Sequence, residues 1–220
     1  MIVTIDGPAG AGKSTAAKAL ARRLDFEFLD TGAMYRAVTL AGLRAKLDLN
    51  NENALATLIS GIKLEMPSGR VLLNGEDVTG LIRTREITAA SGAIASSVAV
   101  RRRLVEMQRQ IAAGSNVVCE GRDQGTLVFP DALCKFFLTA DPGERARRRQ
   151  GEMAKRGENL ALEEVLAAQQ VRDDRDATRD IAPMVAAADA VSLDTTHLTL
   201  EQVVERMEQL VRSRLARATS

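Results

Sequence analysis

"IVTIDGPAGAGKST", residues 2–15, sets an apolar, β-branched run against a glycine-rich turn, then a lysine and two hydroxyls. Gly7, Gly12, Lys13 and Ser14 fill the pattern G-x-x-x-x-G-K-[ST]. A strand before it and a helix after it are the context that gives that pattern its meaning. Glycines let successive backbone N–H groups turn inward around a phosphate, and a helix N-terminus adds a potential that favours anions. Lys13 can reach the β- and γ-phosphates of a nucleoside triphosphate, and the Ser14 hydroxyl can ligate Mg2+. Gly7, Pro8, Ala9, Gly10, Ala11, Gly12, Lys13, Ser14 and Thr15 are therefore the candidate ATP-binding residues, with Ser14 also the candidate metal ligand. A chance strand–turn–helix is the competing reading, and position and context both speak against it.

Working outward, "KSTAAKALARRL" (13–24) places alanines and leucines at helical spacing, and "FEFLD" (26–30) reads as a second strand. "NVVCEG" (116–121), "CKFFLTA" (134–140) and "AVSLDT" (190–195) are three more short apolar strands. Continuous apolar strands alternating with helices predict an α/β protein with a parallel sheet covered on both faces. Residues 62–80, "IKLEMPSGRVLLNGEDVTG", break the rhythm: "IKLEM" and "RVLLN" flank a Pro-Ser-Gly turn and read as a small antiparallel hairpin. The expected organisation is a single domain over 1–220, with a core of 1–60 and 86–220 and an insertion of about 61–85. An arginine-rich lid is expected over about 141–158. In "DPGERARRRQGEMAKRG" (141–157), Asp141 is the expected N-cap, with Pro142 first in the helix and Glu144 three residues after the cap. Its arginines and lysines, Arg145, Arg147, Arg148, Arg149, Lys155 and Arg156, form the densest basic run in the chain.

Composition narrows the function. The 220 residues are 45% hydrophobic and 27% charged with a net charge of +1, so neither a nucleic-acid polymer nor an anionic membrane is an expected partner. Anion binding must be local. No apolar run is long enough to span a bilayer, and the N-terminus lacks a basic n-region and an apolar h-region, so a cytoplasmic protein is expected. Cys119 and Cys134 lie among apolar residues without CxxC spacing and are expected to be buried thiols in a reducing cytosol. The single histidine, His197, precedes Thr199 and Gln202, which have capping-box spacing. It marks a loop before a helix rather than a catalytic base.

A phosphate loop alone admits a small-molecule kinase, a nucleotide-dependent switch or a motor ATPase. No Asn-Lys-x-Asp-like element for reading guanine occurs. The strand "NVVCEGRD" ends not in an acidic pair but in Glu120, Gly121, Arg122 and Asp123, and an arginine there suits a second phosphate group better than activation of water. In "LDTGAMYRA" (29–37), Thr31 and Gly32 read as a loop and helix start from which Arg36 projects. Arg36 and Arg122 thus follow different strands, at the carboxyl edge where open α/β sheets bind ligands.

Together these residues resemble the bacterial cytidylate kinases, of the nucleoside monophosphate kinase group. The resemblance runs nearly end to end, carried by "TIDGPAGAGKST", "LDTGAMYR", "GEDVTGLIRT", "EGRDQGTLVFPDA", "RDDRDATRDIAP" and "AADAVSLDT". It implies a P-loop kinase fold with a five-stranded parallel sheet, a CMP-binding insertion and a lid. It also implies transfer of the γ-phosphoryl of ATP to CMP or dCMP with Mg2+. Another small-molecule P-loop kinase, or less favourably an ATP-dependent switch, remains the alternative. By resemblance, cytosine lies against Ser91, Arg101 and Asp123. Arg36, Arg122 and Arg179 take the acceptor phosphate, Arg172 and Asp176 the ribose, and Thr31 the pocket rim. Lys13 and the lid arginines Arg145 and Arg148 would act catalytically on the transferring phosphate. A carboxylate and an arginine match the cytosine edge, whose N4 amine donates while O2 and N3 accept. The spacing from Ser91 to "VRRRL" is one residue longer than the family pattern, so Arg101 and Arg102 compete for the cytosine role. A monomer is expected.

"VRDDRDATRD", residues 171–180, joins the site only through this resemblance. Alone it reads rather as i,i+4 ion pairs on a wet helix face. The run from Asn159 to Asp180 is expected to be helical, ending before Pro183, with Arg172, Asp176 and Arg179 on one stripe. Asp173, Asp174 and Asp180 are left to solvent.

Overall fold

The structure, a computed structural model, describes residues 1–155, 157–179 and 181–218. Two expectations, the basic Arg156 and the solvent-facing Asp180, lie outside the described residues. The first half of the chain forms β1 (Ile2–Asp6), α1 (Lys13–Leu24), β2 (Glu27–Asp30), α2 (Thr31–Arg44), α3 (Glu52–Ser60), β3 (Leu64–Glu65), β4 (Leu72–Leu73) and β5 (Glu76–Asp77). The second half adds α4 (Arg85–Ser96), α5 (Val98–Ala112), β6 (Val117–Glu120), β7 (Cys134–Thr139), α6 (Pro142–Ala154), α7 (Leu162–Thr178), β8 (Val191–Asp194) and α8 (Leu200–Ala218). Packing divides the chain into two compact units, residues 1–26 with 117–220, and residues 27–116.

In the first unit β6, β1, β7 and β8 lie side by side, all parallel, with Ile5 opposite Glu120 on one side and Phe136 on the other. The interior strands are apolar throughout because both faces are covered: Val3, Ile5, Val117, Val118, Phe136 and Leu138 are all buried. The edge strand β8 instead alternates half-buried and exposed residues. Helix α1 turns Ala16, Ala17, Leu20 and Ala21 inward and packs against α8, which brings Val203, Val204, Met207 and Val211. Thr199 and Gln202 form the expected reciprocal cap at the start of α8: the Gln202 amide N–H donates to Thr199 Oγ1 and the Thr199 amide N–H to Gln202 Oε1. Asp141 caps α6 as expected, accepting from the Gly143 and Glu144 amides, with Pro142 in the first position. Both cysteines are free and buried, and burial pushes both thiols up, so neither is a ready nucleophile.

The second unit is mainly helical. Helix α2 packs on α4 and α3 on α5, around Met34, Val38, Leu55, Ile59, Ile87, Ile94 and Leu104. The expected hairpin is a three-stranded antiparallel sheet in the order β3-β4-β5, inside the 61–85 segment. The extra strand follows from Asn74-Gly75, whose φ values of 50° and 86° make the two-residue turn that returns Leu73 opposite Glu76. The sequence reading passed over this Asn-Gly signal. The Pro-Ser-Gly segment is a single 3-10 turn over Pro67–Gly69.

Two expectations about the helices need correction. Strand β2 runs into α2 without a loop, because the Asp30 side chain caps the helix by accepting from the Ala33 amide at 2.8 Å. Helix α7 spans Leu162–Thr178, and Arg179 follows it with extended backbone, φ −65° and ψ 139°, so Arg179 is not on the helical stripe. Among the described residues no helix is long and apolar enough to cross a membrane.

Candidate active site

The first unit places the glycine-rich turn between β1 and α1, at the carboxyl end of the central strand. Gly7 has φ 132°, and a β-carbon there would lie 2.0 Å from the Leu138 carbonyl oxygen, so only glycine lets the turn pass over β7. Lys13 opens α1 and is 5% exposed, its ammonium donating to the Pro8 carbonyl at 2.6 Å. Burial lowers its pKa to about 7; the Arg122 guanidinium adds to this, Glu120 opposes it, and Arg172 and Asp6 act more weakly in opposite senses. A polyphosphate at this loop would satisfy that charge.

The strand ends on either side supply carboxylates. Ser14 Oγ donates to Glu120 Oε1 at 2.8 Å, joining the first turn of α1 to the last residue of β6. Asp6, last in β1, accepts from the Gln124 amide at 2.9 Å and the Gly125 amide at 2.8 Å. It thereby anchors the wide π-type turn of Gln124–Val128 that follows Asp123. Burial raises the Asp6 pKa to about 6, against the lowering by its two amide donors.

Behind the turn stands a charge cluster. Asp176, 5% exposed, receives Arg122 Nε at 3.0 Å, with Arg172 Nε at 3.9 Å and Arg175 Nη2 at 3.8 Å. Arg179 Nη2 lies 4.0 Å from Asp123 Oδ1, and its Nε donates to the Ala182 carbonyl at 2.5 Å. Asp123 is 4% exposed. Arg122 and Asp123, with Arg172, Asp176 and Arg179 from a distant segment, thus form one array of three guanidiniums and two carboxylates. The Met184 amide donates to the Asp176 carbonyl, tying the segment after α7 back to the helix.

Within the second unit Asp30 is a hub. It caps α2 and takes Arg36 Nη2 at 3.2 Å and Arg83 Nη2 at 3.4 Å, so Arg36 has a partner the sequence reading did not name. Thr31 is buried beside it as the first residue of α2. Ser91 on α4 donates to the Thr88 carbonyl. Arg101 is 3% exposed, donates to the Ala95 carbonyl at 3.3 Å and lies 6.0 Å over the Tyr35 ring, whereas Arg102 is exposed. Of the two candidates, Arg101 is thus the buried one.

Arg145 and Arg148, on α6, are engaged with their neighbours. Arg148 donates from Nε to Glu144 and from Nη1 and Nη2 to the Thr195 hydroxyl and carbonyl at 3.0 and 2.7 Å. A β-carbon on Gly12 would lie 3.9 Å from Arg148 Nη1, so this guanidinium stands beside the phosphate turn. Arg145 donates to the Ala140 carbonyl, the Ala9 carbonyl and the Asp173 carboxylate. Asp173, assigned to solvent from the helical stripe, is 8% exposed. Its partners come from other elements, and spacing along one helix cannot reveal them. The Thr195 hydroxyl also reaches the Ala11 and Thr139 carbonyls, a role its place after an apolar strand did not signal.

The described site offers Mg2+ suitable atoms. Ser14 and Glu120 place a hydroxyl and a carboxylate oxygen side by side next to the phosphate turn, the hard oxygen donors that the ion prefers alongside substrate phosphates.

A family model described as cytidylate kinase matches residues 3–213. A cytidylate kinase of Citrifermentans bemidjiense is 49% identical over 220 residues, spanning 98% of this chain and 94% of its own. That of Carboxydothermus hydrogenoformans is 45% identical over 215 residues, spanning 96% and 97%. Among solved structures, an uncharacterized protein from Eubacterium ventriosum has a TM-score of 0.53 at 12% identity, covering 97% of this chain and 99% of that one, which is a likeness of fold.

Proposed function

The chain belongs to the cytidylate kinase family, enzymes of nucleoside monophosphate phosphotransfer, and from that premise we propose that it moves the γ-phosphoryl of ATP to CMP or dCMP with Mg2+. ADP and CDP or dCDP are the products. The observation that carries this reading is the array of Arg122, Arg172, Arg179, Asp123 and Asp176, in the same unit as the phosphate turn. A hydrolase or switch has no need of a second set of guanidiniums, whereas an acceptor that carries its own phosphate does.

The chemistry is mainly positioning. The transferring phosphoryl passes through a loose transition state with charge on its equatorial oxygens, so fixed cations accelerate it. Lys13 and Arg148 would supply that charge, and Arg145 stands by the same turn. Ser14 and Glu120 would hold Mg2+, which when bound neutralises phosphate charge. Arg36, Arg122 and Arg179 would align the acceptor phosphate, whose oxygen is already anionic at neutral pH and needs no general base. Arg172 and Asp176 would take the ribose. Asp123 would accept from the cytosine N4 amine, with Arg101 and Ser91 as the further base-reading groups and Thr31 at the rim. Uracil reverses the donor and acceptor at positions 4 and 3 and would be disfavoured.

A coupled assay of ADP release against a panel of nucleoside monophosphates tests this. CMP and dCMP should stimulate release most strongly. Stimulation by a different acceptor alone would make the protein another small-molecule kinase, and hydrolysis at full rate without any acceptor would make it a switch.

A further inference from the structure

Resting on the reading that the glycine-rich turn takes the donor triphosphate, we propose that Asp173 is a positioning residue: with Arg145 and Gln169 it clamps the Ala9 peptide and holds the turn in its phosphate-receiving shape. Asp173 Oδ1 accepts from the Ala9 amide at 3.3 Å. Arg145 Nη1 donates to the Ala9 carbonyl at 3.0 Å and also to the Asp173 carboxylate. Gln169, one turn earlier on α7, directs Nε2 to the Ala9 carbonyl at 3.5 Å and the Arg145 carbonyl at 3.3 Å. One residue of the turn is therefore held at both its amide and its carbonyl by side chains of α6 and α7.

The next residue shows how closely the clamp is built. Gly10 has φ 78°, and a β-carbon there would come within 2.6 Å of Gln169 Nε2 and 2.8 Å of the Arg145 carbonyl oxygen. Arg145, Gln169 and Asp173 are each 6 to 8% exposed. Buried hydrogen bonds between charged groups of this kind hold one geometry, because leaving either partner unpaired is costly.

The clamp explains a carboxylate beside an anion site. Asp173 takes the Ala9 amide, and Arg145 and Gln169 take its carbonyl, so the amides that follow are left to turn toward the ligand. Arg145 cancels the charge that would otherwise repel a polyphosphate. Its guanidinium acts through the turn rather than by gripping the transferring phosphate.

The test measures donor affinity without any acceptor, by titrating the intact protein with ATP calorimetrically, alongside the CMP KM from the coupled assay. Asp173→Asn should raise the ATP Kd about tenfold while the CMP KM moves less than about twofold. Arg145→Gln should raise the ATP Kd further, because it strands the Asp173 charge. The double variant Arg145→Gln/Asp173→Asn should bind ATP more tightly than Arg145→Gln alone. Should Asp173→Asn fail to fold, Gln169→Met should give the same selective rise, roughly threefold. The proposal is overturned by an unchanged ATP Kd in a folded variant, by equal factors on ATP and CMP, or by a double variant no better than Arg145→Gln. That last result would mean that Arg145 grips phosphate directly. ATP binding without CMP phosphorylation in the unaltered protein would overturn the acceptor reading alone, whereas absence of ATP binding would overturn the clamp as well.

Discussion

Ser14 Oγ and Glu120 Oε1 meet at 2.8 Å, joining the first turn of the helix after the glycine-rich loop to the end of the neighbouring strand. A hydroxyl and a carboxylate so placed form an oxygen pair suited to a hard divalent ion. Glu120→Gln keeps the hydrogen bond from Ser14 but removes the charge. The Mg2+ concentration giving half-maximal transfer should rise roughly tenfold or more, and EDTA should abolish transfer by both forms. An unchanged Mg2+ requirement in a folded variant would show that Glu120 only orients Ser14.

Asp123 lies buried beside Arg179, at the start of the turn anchored by Asp6. Asp123→Ala should raise the KM for CMP at least about tenfold and leave ATP affinity within about twofold, since a lost acceptor strands the partner it served. Equal loss of both, with a lowered Tm, would assign Asp123 to folding instead.

Lys13 in the free protein has a pKa lowered to about 7 by burial, with Arg122 beside it. Phosphate binding favours the ammonium, so the bound pKa lies higher and binding takes up a proton once the pH exceeds about 7. Above pH 7.5 a terminal phosphate is fully ionised, its second pKa being about 6, and contributes no opposing trend. The ATP Kd should therefore rise from pH 7.5 to 8.5, approaching about tenfold per unit. Calorimetry in buffers of different ionisation enthalpy would count the proton. Lys13→Met should bind weakly and without this slope.

Asp6 is raised to about 6 by burial, against an ordinary carboxylate value of 3.8. A raised carboxyl stabilises the fold fully below the unfolded value and loses that contribution as the pH climbs through the folded one. The stability of the unaltered protein relative to Asp6→Asn should therefore fall between about pH 4 and 6, by roughly 2–3 kcal/mol. Urea midpoints at pH 4.5, 5.5 and 6.5 give the difference. A flat difference would mean that the Gln124 and Gly125 amides hold Asp6 ionised throughout.

Much of the fold was legible because its signals are local. The run Ile2–Ile5 followed by Gly7, Gly12 and Lys13 marks strand, turn and helix within fifteen residues, and every term of that reading acts over one or two turns of chain. The caps by Asp141 and Thr199 are equally short-range, and both formed where spacing put them. The expected helix over 159–180 erred at its ends, where propensity is weakest, and so carried Arg179 onto a stripe it does not share.

What the chain itself determined is the set of elements and the residue types gathered at the carboxyl ends of its strands, since periodicity and turn chemistry act through neighbouring bonds. Tertiary structure alone decided which of those charges are partners. The periodicity of "VRDDRDATRD" sorted faces correctly enough to bring Arg172 and Asp176 together, yet sent Asp173 to solvent. Burial, and the arrival of Arg145 and the Ala9 peptide from distant segments, gave that aspartate its place. A buried charge is stable only beside its counter-charge, and the counter-charge here is 28 residues away along the chain.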